Sequence, residues 1–82
     1  MDRKTIKKIF SKLPKGITLT VRQIQDVVQK QCPLIPADWE PYVKTRHTHY
    51  PKWHHKIQGV LYEYKKKGLI IHNPADCSYT FV

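Results

Sequence analysis

The chain has 82 residues, enough for one small core and too few for two, and a domain of this size buries roughly 60–65% of its unfolded surface. Lys and Arg total 15 against 6 Asp and Glu, a net charge of +9 with a pI near 9.8, so polyanions are the natural partners. No stretch approaches the roughly 20 apolar residues of a spanning helix and none reads as a signal peptide, which points to a cytoplasmic, nucleoid-associated domain with no membrane partner.

Asp2 to Leu13 places Ile6, Ile9, Phe10 and Leu13 on one face and lysines elsewhere, an amphipathic helix over 2–13 ended by Pro14 and Gly16. Ile17, Thr18 and Leu19 have the β-branched, alternating character of a short strand. Thr20-Val21-Arg22-Gln23 fits a capping box and opens a second helix over 20–32, with Val21, Ile24, Val27 and Val28 as its apolar face and Cys32-Pro33 as its stop. From 33 to 50 periodicity disappears, and an irregular loop is expected there. Leu34, Ile35, Trp39 and Tyr42 are candidates to pin it, and Lys44 to His49 would form an exposed basic strip.

The third helix, over 51–67, is the element that organises the rest. Trp53, Ile57, Val60, Leu61 and Tyr64 follow the spacing of one helix face, Pro51 sits at the start and Gly68 closes the run. At about 100° per residue the opposite side carries His55, Gln58, Gly59, Tyr62 and Lys66, with Lys52 and Lys65 on its flanks. Cations, an amide, an imidazole and a phenol are groups that bond base edges and phosphates. Two short strands over about 69–82, joined by a turn around Asn73, Pro74 and Asp76, complete the chain as a hairpin. The order predicts an α+β fold, a winged helix-turn-helix with three helices, a short strand after the first helix and a β-hairpin wing.

The run from Leu34 onward resembles the winged-helix domain attached to Mrr-type restriction endonucleases and related bacterial DNA-modification proteins. The resemblance rests on Asp38-Trp39-Glu40-Pro41, on Pro51-Lys52-Trp53 with Ile57 and Leu61, on Lys66-Lys67-Gly68-Leu69-Ile70, and on Ser78-Tyr79-Thr80-Phe81. It implies DNA binding in a regulatory or restriction-associated role, and it carries over no catalytic residues, since that family's chemistry lies in a separate domain. Val60 to Gly68 is also similar to the recognition helix of Z-alpha domains. Tyr62 matches there, but Gln58 replaces an Asn and the Pro-Pro-x-Trp wing pattern is missing, so only winged-helix geometry is shared.

The expected DNA-binding residues are Lys52, His55, Lys56, Gln58, Gly59, Tyr62 and Lys66 on the third helix, Lys44 and Arg46 in the loop, and Arg22 on the second helix. A solvated helix face is the plainer reading of several of them; helix position, net charge and wing favour contact. Gly59 in mid-helix costs about 1 kcal/mol against alanine, which either close approach of a ligand or packing on another helix would justify. His47, His49, His54 and His55 fit no zinc spacing, and Cys32 and Cys77 share no motif and are expected as free thiols. Glu63-Tyr64-Lys65 imitates half of a magnesium-nuclease signature, but Asp38, its formal partner, belongs to the loop. The expectation is therefore a binding module with no cofactor, metal or small-molecule substrate. A winged helix that docks an acidic protein, a homodimer, and an RNA binder stacking bases on Tyr42, Tyr50 and Tyr62 are the other readings.

Overall fold

In the computed structural model, which describes residues 1–43 and 49–82, three helices pack with two small antiparallel sheets into an α+β fold. Helix α1 (Arg3–Ser11) starts at Asp2, whose carboxylate accepts from the Thr5 amide at 2.8 Å and from the Thr5 hydroxyl. It ends earlier than its apolar pattern, because the amides of Lys12 and Leu13 turn to the carbonyls of Ile9 and Phe10 and tighten the last turn. Strand β1 (Thr18–Thr20) leads into α2 (Val21–Gln31) through the expected capping box: the Thr20 amide donates to Gln23 Oε1 at 2.9 Å and the Gln23 amide to Thr20 Oγ1 at 3.2 Å. Cys32 is already extended, as a residue before proline prefers.

The connection to the third helix is more ordered than its sequence suggests. A 3-10 turn (Pro36–Trp39) is followed by β2 (Pro41–Val43) and β3 (His49–Pro51), which pair antiparallel with Tyr42 opposite Tyr50. Alternation over three residues bounded by prolines is too short to read as a strand, so the ribbon was invisible to periodicity. Asp38 fixes the turn. Its carboxylate is 4% exposed and accepts from the Ile35 amide and the N-terminal ammonium, each at 3.0 Å. Burial opposes its charge, but those two donors outweigh burial and hold the carboxyl below the usual carboxylate range.

Helix α3 (Lys52–Lys66) begins one residue later than expected, with Pro51 at the cap, and ends in a Schellman arrangement. The Leu69 amide donates to the Tyr64 carbonyl at 2.9 Å and the Gly68 amide to the Lys65 carbonyl at 3.2 Å, with Gly68 at φ +74°. Strands β4 (Ile70–Asn73) and β5 (Ser78–Phe81) form the hairpin, and β1 adds to the far side of β5, giving the order β1-β5-β4. The hairpin turn is held by side chains: Asn73 Oδ1 accepts from the Ala75 amide, and Asp76 Oδ1 from the Ser78 amide and hydroxyl.

The core joins Ile6, Ile9 and Phe10 of α1, Ile24 and Val28 of α2, Trp53, Ile57, Val60 and Leu61 of α3, and Ile70 and Phe81 of the hairpin. Each such buried side chain stabilises by roughly 1.5–3 kcal/mol. Phe10 sits edge-on to both Tyr64 and Phe81, at 5.6 and 5.2 Å between centroids, and so ties α1 to α3 and the sheet. Three expected core positions differ. Val21 is only half-buried, because the first residue of α2 faces the side of α3 rather than the interior; Ile35 is 55% exposed; and Trp39 is 49% exposed, packed edge-on against the buried Trp53.

Candidate nucleic-acid interface

The outward side of α3 is two surfaces rather than one. At about 100° per residue, Lys52, Lys56, Gly59, Glu63 and Lys67 fall on one flank of the buried stripe, and His54, Gln58, Tyr62 and Lys65 on the other. His55 and Lys66 lie between them, directly opposite the core.

The first flank is occupied by the protein itself. Lys56 Nζ donates to the Met1 carbonyl at 2.5 Å, and Glu63 accepts from Lys7 and Lys67, whose Nζ atoms lie 2.8 and 3.2 Å from its carboxylate oxygens. Those two lysines hold the Glu63 carboxyl below the usual range, so the residue that imitates a nuclease motif is an ion-pair partner. A Cβ on Gly59 would lie 2.7 Å from Arg3 Nη2, so the glycine makes room for an α1 side chain, not for a ligand. Lys52 Nζ is 3.3 Å from Glu40 Oε2, both ends well exposed. Of the expected contacts, Lys56 and Gly59 are thus turned toward α1 and the N-terminus, and Lys52 has an acidic partner on the loop.

The second flank opens into a groove of about 370 Å³ lined by Val21, Gln58, Leu61, Tyr62, Lys65, His72 and Tyr79. Three elements build it. α3 supplies Gln58, Tyr62 and Lys65; α2 supplies Val21, whose amide donates to the Cys77 carbonyl at 3.3 Å and so ties the helix start to the hairpin turn. The hairpin supplies His72 and Tyr79, cross-strand partners with rings stacked at 4.6 Å and 17°. Burial raises the Tyr79 phenol above its usual pKa, with the Cys77 thiol adding to the shift, so the ring presents a neutral hydroxyl.

Around this groove stand several of the expected residues. Tyr62 is 60% exposed, with Lys66 Nζ 5.0 Å from its ring centroid in a cation–π arrangement. Gln58 has no hydrogen-bond partner among the described residues, and Arg22, the second residue of α2, is exposed with no acidic partner among them. His55 is held at the start of α3 by the β2–β3 ribbon. Its ring stacks on Tyr42 at 3.8 Å and 12°, and Nδ1 lies 3.1 Å from the Tyr50 hydroxyl. Tyr42 and Tyr50, read as base-stacking candidates, therefore anchor the ribbon to α3. Lys44 and Arg46 lie outside the described residues.

Val21, Leu61, Lys65, His72 and Tyr79 were not among the expected site residues. The signal for the last two was available: in strands that bury Ile70 and Phe81, His72 and Tyr79 share the same face by the two-residue period. Among the described residues no group of three or more His, Cys, Asp or Glu could hold a metal ion, and Cys32 and Cys77 are both free, one buried and one exposed. No described helix is long and apolar enough to cross a membrane. Comparisons with family models, with curated proteins and with solved structures find no match to the chain.

Proposed function

We propose that the chain is a winged helix-turn-helix module that binds duplex DNA, with the groove flank of α3 in the major groove and the β4–β5 hairpin as its wing. The fold reading rests on the order helix, strand, helix, helix, hairpin, with the early strand added to the hairpin and the 3-10 turn and β2–β3 ribbon inserted between the second and third helices. One observation carries the functional reading: the outward flank of α3 that the protein leaves uncovered holds an amide with no partner among the described residues, a phenol and Lys65, with Lys66 at its edge over the Tyr62 ring, and the α2 start beside it adds Arg22. Polar groups aimed at base edges and cations aimed at phosphates are the two components of duplex recognition. With a net charge of +9, electrostatics supply attraction without sequence.

In this reading the protein acts as a binding module and not as an enzyme, in a regulatory or restriction-associated role beside bacterial DNA. Its two acidic residues of nuclease-like appearance, Glu63 and Asp38, are engaged by lysines on one side and by the N-terminus and the Ile35 amide on the other. A single module touches few phosphates, so its non-specific affinity is on the order of 10⁻⁴ to 10⁻⁶ M at physiological salt.

The test is fluorescence anisotropy with a labelled mixed-sequence duplex across a salt series. Wild type should lose affinity linearly on a log–log plot, and Lys65→Ala with Lys66→Ala should shallow the slope by about 0.9 for each phosphate contact removed. An unchanged slope in that double variant, or no salt-dependent binding at all, contradicts the reading.

A further inference from the structure

Cations around a groove account for attraction, yet phosphates are the same along any duplex and leave the groove's floor and its amide unused. Gln58 is the one side-chain amide on α3, and neither its oxygen nor its nitrogen has a partner among the described residues. Beside it the floor is aliphatic. Leu61 is 2% exposed and Val21 half-buried, and Val21 is fixed by the hydrogen bond its amide donates to the Cys77 carbonyl. An apolar first residue on a helix whose neighbours in the cap are Thr20, Arg22 and Gln23 serves the core poorly, since Ile24 and Val28 fill that role. A planar donor–acceptor pair next to an aliphatic side chain is a chemical template.

Resting on the DNA-binding reading, we propose that this groove reads an A·T base pair, with Gln58 bonding adenine and the Val21–Leu61 floor receiving the thymine methyl. In the major groove adenine presents N7 as an acceptor beside N6–H as a donor, which the amide N–H and C=O of one glutamine match together. Guanine presents two acceptors, N7 and O6, and would set its O6 against the Gln58 carbonyl. Cytosine presents a donor and no methyl, so a C·G pair leaves the apolar floor against water. Thymine alone among the DNA bases brings a methyl group to this edge. Lys65, the groove residue that could favour guanine, lies seven residues along α3 from Gln58, roughly 10 Å down its axis, so the two side chains do not reach the same base edge together.

The experiment measures affinity of the full chain for four short duplexes: all A·T, all G·C, the A·T duplex with deoxyuridine in place of thymidine, and the A·T duplex with an adenine analogue carrying carbon at N7. Deoxyuridine removes only the methyl and leaves the minor-groove edge intact. Wild type should prefer A·T over G·C by about tenfold, within the range of a bidentate base contact, and should lose a similar factor with the N7 analogue. The methyl deletion should weaken it by about threefold, the scale of one buried methyl group. Gln58→Ala should abolish the A·T preference with the salt slope unchanged, and Val21→Ala should abolish only the difference between thymidine and deoxyuridine. Gln58→Glu, whose carboxylate accepts from cytosine N4, should turn the preference toward C·G. Salt-dependent binding with equal affinity for all four duplexes, or with G·C preferred, overturns this inference and leaves the DNA-binding reading standing. Absence of binding to any duplex at low salt overturns both.

Discussion

The two flanks of α3 carry similar side chains in the sequence and have different fates in the fold. On the α1 flank, Lys56, Lys67 and Glu63 are engaged by Met1, Lys7 and one another, and Gly59 accommodates Arg3. On the groove flank, Gln58 and Lys65 face a space walled by Val21, His72 and Tyr79. A cationic helix face is thus not by itself the footprint of a polyanion. Half of it here is internal wiring, and the part available to a partner is the part the protein does not cover. The same contrast holds for glycine, where a position that invited a ligand-contact argument is explained by a neighbouring arginine.

Substitutions on the two flanks should separate stability from binding. The largest effect is expected at Asp38, which binds the Met1 ammonium while Lys56 of the α1 flank binds the Met1 carbonyl; its removal leaves the Ile35 amide and the N-terminal ammonium unpaired in a buried site. Asp38→Ala should cost about 2–3 kcal/mol in urea denaturation while the folded fraction keeps its affinity for DNA. The Asp38 carboxyl titrates below the ordinary 3.8, so its contribution is fully present above about pH 4 and is lost as pH falls through the folded value. Acid unfolding of Asp38→Ala should accordingly be flatter than that of wild type.

Next in size is the groove side, where Lys65→Ala with Lys66→Ala should lower DNA affinity by about tenfold at low salt and leave the urea midpoint within about 0.5 kcal/mol of wild type. Lys56→Ala should show the reverse, a measurable loss of stability with little change in affinity. Gly59→Ala comes third. The atom it meets is the end of a flexible arginine, which can move aside, so the gain in helix propensity should stabilise by up to about 1 kcal/mol with DNA binding intact. Were Gly59 a site of close approach to DNA, the same variant would lose affinity. The smallest effect concerns His54, whose half-buried ring packs on Trp53 and whose pKa burial pushes below the ordinary 6.5. The folded state resists protonation there, so stability should decline slightly as pH falls through 6.5 toward the lower folded value, and His54→Gln should remove that decline.

Helix α2 was legible almost to the residue, because a capping box and a proline stop are local signals and both ends obey them. The three-helix, hairpin-ended order was legible for the same reason, each element carrying its own periodicity and punctuation. The β2–β3 ribbon was not. It is held to α3 by Tyr42 stacked on His55 and by Tyr50 hydrogen-bonded to the same ring, contacts that have no sequence period. The candidate site was legible in part: Gln58, Tyr62 and Lys66 follow from helical spacing, whereas the division of α3 into two flanks depends on where α1 lies. That packing is set by contacts between residues far apart in the chain, such as Lys7 with Glu63 and Arg3 with Gly59.

Whether the groove flank and not the α1 flank meets DNA is decided by an NMR titration of the isotope-labelled protein with a short mixed-sequence duplex. Shifts are expected at Val21, Arg22, Gln58, Tyr62, Lys65, His72 and Tyr79, reversed by added salt, with Arg3, Lys7, Lys56 and Gly59 unmoved. Equal shifts on both flanks, or shifts confined to the α1 side, would contradict DNA binding at the groove.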